Sequence, residues 1–261
     1  MKPMKAQRFD LGFLVVAALA FIASAAATIA GYVSMSSMPG MEMPGGWTMS
    51  MTWMRMPGQS WPGAAAAFMG MWTVMMVAMM LPAVAPSIAR YRQSMRAVAG
   101  PRLGRFTAIV TLAYFTAWTL AGLLIFPLGM TLAGMTMQSP AFSRAMPVAA
   151  GLTIILAGAL QFTAWKSEQL RCCRAAPVYS RDEASAAWQH GWRLGRHCIR
   201  CCAGLTAALL ALGLMDLRAM GLVTLAITAE RVAPAGQRVA GIIGVVTIIA
   251  GLIQLTRIAS L

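Results

Sequence analysis

The sequence predicts an all-α fold, a polytopic transmembrane helical bundle of about seven spans (six in one alternative), forming a single membrane domain over residues 1–261. Three observations predict it. Hydrophobic residues make up 59% of the chain and charged residues only 11%, with a mean hydropathy of +0.69, which points to lipid rather than water as the solvent. Apolar runs long enough to cross a hydrocarbon core of about 30 Å as helices recur along the chain. Basic residues gather in alternate connections between those runs, as the positive-inside rule requires.

The expected spans are 11–33, 64–86, 106–128, 147–165, 199–216, 217–230 and 239–257. The first follows Lys2, Lys5 and Arg8 and ends near Ala25–Ala27, a pattern shared with secretory signals. A cleaved apolar region would be only about 7–15 residues, so this run reads as a retained span. The second carries Pro82 and Pro86, which are expected to end or bend it ahead of the basic stretch beginning at Arg90. Residues 217–230 are short for a span and carry Arg218 and Glu230 near their ends. If 199–230 is instead one broken helix, the count falls to six.

With the N-terminus cytoplasmic, 17 basic residues fall inside and four outside (Arg55, Arg144, Arg218, Arg257). The expected location is therefore a bacterial inner (plasma) membrane, crossed several times. The formal charge of +14 is accounted for by this bias, and no nucleic acid partner is implied.

That topology sorts sulfur by compartment. A Met-rich periplasmic loop, 34–63, carries Met35, Met38, Met41, Met43, Met49, Met51, Met54 and Met56, joined by Met130, Met135, Met137 and Met146 around the second outer connection. All five cysteines fall inside, around a cytoplasmic loop over 166–198: Cys172, Cys173, Cys198, Cys201 and Cys202. Outside the inner membrane thiols are driven to disulfides while thioethers stay available as soft ligands; inside, thiols stay reduced. Thioether plus thiolate favours Cu(I) over hard cations. The outer loop has one carboxylate, Glu42, and no histidine, which argues against calcium or zinc there. The other reading of this loop is a flexible apolar patch anchored at the interface by Trp47, Trp53 and Trp61.

In the second span Met69, Met71, Met75, Met76, Met79 and Met80 occupy one half of the helix circumference, with Trp72 in the same arc. Met75, Met76, Met79 and Met80, with Gln161 of the fourth span, form a candidate ion path; ordinary helix packing is the competing reading. The thiol cluster is sharper. Cys198, Cys201 and Cys202 stand at i, i+3 and i+4 and share one side of a helix. Cys-x-x-Cys is a spacing that metal sites use. His190 and His197 can join that face if Gly191 and Gly195 do not break the turn. Cys172 and Cys173 can complete a site from across the loop. Arg171, Arg174, Arg196 and Arg200 are placed to favour thiolates. Metal ligation, dithiol redox chemistry and a structural or lipid-modified role all remain open for this cluster.

The order Trp72-x-x-Met75-x-x-Ala78-Met79-Met80-x-Pro82-x-x-x-Pro86, Tyr114-x-x-x-Trp118, Gln161-x-Thr163-x-x-Lys166, Cys173-Arg174, Gly191 and Cys198-x-x-Cys201-Cys202 resembles the predicted metal-binding integral membrane proteins of the domain-of-unknown-function family 2182, described as copper chaperones. The likeness spans roughly residues 64–250 and implies metal handling. Such proteins show a further cysteine where Gln169 stands here, an aromatic residue in place of Ala203, and often an asparagine in place of Asp216.

No Gly-x-x-x-x-Gly-Lys loop or phosphorylatable aspartate motif of a pump occurs in the sequence. The expected function is therefore non-enzymatic: Cu(I), collected by periplasmic thioethers, passes to cytoplasmic thiolates by ligand exchange. The partners expected are the lipid bilayer and a cuproprotein or another membrane subunit. A membrane thiol-disulfide oxidoreductase and a structural subunit of a larger membrane complex are the alternatives.

Overall fold

The computed structural model describes residues 10–36, 41–44, 47–49, 53, 58–174, 183–213 and 216–259. Among these, eight α-helices account for nearly all the regular structure: α1 (Leu11–Ser36), α2 (Trp61–Ala99), α3 (Leu103–Gln138), α4 (Pro140–Leu160), α5 (Ala164–Arg174), α6 (Ala184–Leu212), α7 (Leu217–Val232) and α8 (Gly236–Ala259). A two-stranded hairpin, β1 (Met41–Met43) and β2 (Trp47–Met49), joins α1 to α2. Five of the seven expected spans lie within a single helix; 147–165 crosses the turn at Gln161–Thr163 between α4 and α5, and 199–216 runs past the end of α6 at Leu212. Five helices, α1, α2, α3, α4 and α8, are long and apolar enough to cross a membrane.

Helix ends follow local chemistry. Ser60 caps α2 by accepting from the Gly63 amide, with Pro62 in the first turn where its missing N–H costs nothing. Ser139 caps α4 in the same way, accepting from Phe142, so only one residue separates α3 from α4. The second outer connection, expected as a loop from Met130 to Met146, is consequently helical. Pro82 and Pro86 do not end α2, which runs on to Ala99. Proline is tolerated inside such helices because neighbouring groups satisfy the freed carbonyls.

Gly213, at φ 120, closes α6 in a conformation that disfavours side chains. Asp216 then starts α7 by accepting from the Arg218 and Ala219 amides. Residues 199–230 thus lie on two helices, α6 and α7. The 16 residues of α7 give only about 24 Å at 1.5 Å per residue, short of a full hydrocarbon core. The stretch 166–198, expected as a loop, carries α5 and the first half of α6.

Small residues set the helix spacing. A Cβ on Gly191 would collide with the Val110 carbonyl, and one on Gly195 would lie 2.7 Å from Ala117 Cβ, so α6 lies hard against α3. Gly158 of α4 and Gly244 of α8 play the same part: a Cβ on Gly158 would meet the Gly244 carbonyl at 2.7 Å. The main core is built from α2, α3, α5, α6 and α7 and includes Trp72, Met76, Met80, Tyr114, Cys198 and Leu209.

The two ends of the bundle differ. At one end the hairpin is pinned down: Trp47 Nε1 donates to the Ser143 carbonyl (3.0 Å), Ser143 Oγ donates to the Pro44 carbonyl (2.8 Å), and Met43 packs on Ala133. At the other end Asp10 meets Arg92 at 2.5 Å and Arg92 donates to Thr107, clamping the start of α1 onto α2 and α3. The hydrogen bond from Arg92 holds the Asp10 carboxyl below the usual carboxylate range.

Candidate metal centre

The thiol cluster begins with the helical spacing of α6. Cys198, Cys201 and Cys202 all face inward, at 0%, 3% and 1% exposure. Gly191 and Gly195 do not interrupt the helix; they let α3 approach so closely that Tyr114 hydroxyl reaches Cys198 Sγ at 2.9 Å. From α2, Met80 Sδ comes within 3.9 Å of Cys198 Sγ, and Cys202 Sγ lies 4.0 Å from the same sulfur. Two thiols and a thioether thus converge around Cys198.

Cys173 enters from α5. It interacts with Cys201, and Cys201 in turn with Cys202, so the four buried thiols form a string leading from α5 to the Cys198–Met80 contact. Among the described residues no group of three or more His, Cys, Asp or Glu side chains is placed to hold a metal ion. The arrangement is therefore a row of sulfur pairs with a thioether at one end, unlike the closed tetrahedral cage of structural zinc.

A buried polar network backs the row. Lys166 Nζ donates to Glu230 Oε2 and to the Cys201 carbonyl, both at 2.7 Å, and Gln161 Nε2 donates to Glu230 Oε1 at 2.9 Å. Lys166 and Glu230 side chains are only 4% and 1% exposed. Such a pair persists in an apolar interior only because each charge is matched and hydrogen-bonded. Gln161 is therefore a brace for this network. Arg231 extends along the string, its Nη2 donating to Cys173 Sγ at 3.2 Å.

The remaining expected ligands fall elsewhere. Cys172 is half-buried, with its thiol 3.8 Å from Glu168 on its own helix. His190 stacks on Tyr91, ring centres 4.9 Å apart, in a separate cluster near the basic end of α2. His197 Nδ1 lies 3.2 Å from Gln169 Oε1, so the place where the resemblance expects a cysteine holds a polar contact between α5 and α6. The structure does not bring these three side chains to the buried thiols. Nor do the expected arginines surround the cluster: Arg171, Arg196 and Arg200 are exposed, Arg171 is matched with Glu168 at 3.6 Å, and the side chain of Arg174 lies outside the described residues.

Met75, Met76, Met79 and Met80 are all buried. Phe68, Trp72, Met76 and Met80 recur every four residues and make one row on α2. Trp53 lies over Phe68 (5.3 Å) and Phe68 over Trp72 (5.9 Å). Trp72 is fully buried with its indole N–H given to the Trp118 carbonyl at 2.8 Å. The row leads from the hairpin end to Cys198. In the hairpin Met41 is 39% exposed and paired in register with Met49, whereas Met43 is buried. Met35 lies in the last turn of α1 and is half-buried. Met38, Met51, Met54 and Met56, and the side chain of Met49, lie outside the described residues.

Tyr114, Lys166 and Arg231 are the site residues that spacing alone did not mark. Tyr114 and Lys166 stood among the residues of the family resemblance. Arg231 gave no signal beyond its place beside Glu230. A family model described as PpoB2, copper chaperone, matches residues 69–254, a stretch that contains every residue of the buried sulfur and charge network. No curated protein and no solved structure matches the chain.

Proposed function

The chain belongs to the PpoB2 family of copper chaperones, and from that premise we propose that it binds and traffics Cu(I) across a bacterial inner membrane, as a non-enzymatic chaperone or passive transporter. Thioethers at the hairpin end collect the ion, and the buried thiols receive it. The observation that carries this reading is the convergence of Cys198, Cys202 and Met80, with sulfur separations of 4.0 and 3.9 Å. An ion held about 2.3 Å from Cys198 and from either of its two sulfur neighbours would see that pair at about 120°, an open arrangement that suits a soft monovalent ion. Soft sulfur donors select Cu(I), and exchange from thioether to thiolate runs toward tighter binding. The positive-inside bias supports a cytoplasmic N-terminus and puts the hairpin in the periplasm. A cuproprotein or another membrane subunit then takes the ion.

The test is a Cu(I) titration of the purified protein, reduced and free of oxygen, against Cys198→Ser/Cys202→Ser and a variant with all five cysteines changed to serine. Thiol-dependent binding is expected, with most of it lost in the double variant. Equal copper content in all three proteins overturns the reading. The runner-up, thiol-disulfide exchange, would use Cys198, Cys201 and Cys202. It predicts a reversible disulfide formed without copper, and these thiols are at most 3% exposed to a partner.

A further inference from the structure

Arg231 stands apart from the other charges near the thiols. Lys166 and Glu230 match one another at 2.7 Å. Arg231 touches Cys173 Sγ through Nη2, and its charge acts on Cys198, Cys201 and Cys202 as well. Its Nε and Nη1 are buried with no hydrogen-bond partner among the described residues, although buried guanidinium donors are normally satisfied. The one carboxylate its charge reaches, Glu230, is already matched by Lys166, so among the described residues a positive charge with spare donors is left over beside the thiols.

Resting on the proposed copper reading, we propose that Arg231 is the specificity-determining residue that makes this site selective for a monovalent soft ion. The charge count supplies the argument. Two thiols and Cu⁺ give a bis-thiolate complex of charge −1 with release of two protons, whereas two thiols and Zn²⁺ give a neutral complex with the same release. The guanidinium neutralises the first and leaves the second with an uncompensated positive charge in an apolar interior, where such a charge is costly. Thioether ligation by Met80 alters neither sum. Arg231 acts as a counter-charge to the loaded complex while the sulfurs hold the ion.

Cu(I), Ag(I) and Zn(II) are titrated in turn into the reduced full-length protein and into Arg231→Met, Arg231→Gln and Arg231→Lys. In the Met and Gln variants the ratio of monovalent to divalent affinity is expected to fall by about tenfold or more, given a unit charge acting over a few ångströms. The Lys variant is expected to keep most of it. Equal weakening of all three ions, or no change in the ratio, overturns the assignment. Should the neutral variants fail to fold, the wild type decides: Ag(I) is expected to displace Zn(II) from the cysteines, and failure to do so refutes the idea. Cysteine-independent copper binding in the wild type is a different outcome, which sinks the copper reading itself.

Discussion

Removing Lys166 while leaving Glu230 tests whether the buried network holds the site together. Lys166→Met keeps the length and apolar stem of the side chain and deletes only the ammonium, whose two contacts at 2.7 Å are the Glu230 carboxylate and the Cys201 carbonyl. Both charged side chains are at most 4% exposed, so solvent screening gives little relief. Breaking such a pair by deleting one partner costs about 3–5 kcal/mol, because the other charge stays buried. For a chain of this size about 2–4 °C of melting temperature accompanies each kcal/mol, so a fall of roughly 6–20 °C follows. The assay is thermal unfolding in detergent, monitored by circular dichroism. Lys166→Met/Glu230→Gln, which leaves no charge behind, is expected to recover most of the loss. A single variant destabilised by less than about 1 kcal/mol, the range of exposed pairs, would refute the claim that this ion pair is desolvated.

Tyr114→Phe removes the hydroxyl 2.9 Å from Cys198 and is expected to cost about 1 kcal/mol of stability and to alter the reaction rate of Cys198 with a small thiol reagent; an unchanged rate would count against the contact. Gly191→Val forces α6 off α3, where even a Cβ would collide with the Val110 carbonyl; a loss of about 1–3 kcal/mol together with weakened copper binding is expected, and wild-type behaviour on both counts would refute the close packing. Met80→Leu conserves volume and should cost under about 1.5 kcal/mol of stability yet measurably weaken Cu(I) binding. Cys172, the half-buried cysteine, should react with a membrane-impermeant thiol reagent only after cells are permeabilised; labelling in intact cells contradicts the proposed orientation. Because the folded carboxyl of Asp10 titrates below its unfolded value, its clamp on Arg92 contributes above the unfolded pKa of about 3.9 and is lost as pH falls through the lower folded value. Hydrogen exchange at the start of α1 should accordingly rise in acid, and Asp10→Asn should raise it already at neutral pH.

Much of the architecture was legible because hydropathy needs no partner: a run such as 106–128 is apolar whichever helix it meets, and five of the seven expected segments lie within a single helix. The inward side of α6 was legible for the same reason, since i, i+3 and i+4 place Cys198, Cys201 and Cys202 together within one helix. The histidines show the limit of that reasoning. Sharing a face is not sharing a depth: His190 lies eight residues before Cys198, about 12 Å along the axis, and reaches Tyr91 instead. Contacts between distant parts of the chain left no periodic trace. Lys166 with Glu230, Tyr114 with Cys198 and Met80 with Cys198 each join residues more than sixty positions apart. Their positions follow from small residues such as Gly191 and Gly195, whose effect depends on what the facing helix presents. Proline misled for a related reason: Pro82 and Pro86 carry a stop signal in water that a helix held by neighbouring helices overrides.

The Phe68, Trp72, Met76, Met80 row has a consequence for what the bundle keeps out. Protons cross proteins by hopping along hydroxyls, carboxyls and chained waters. A thioether offers no exchangeable hydrogen and accepts only weakly, and the single indole donor in the row is already tied to Trp118. The row therefore offers protons no chain of exchangeable groups through this part of the bundle, whatever ion the neighbouring sulfurs hold.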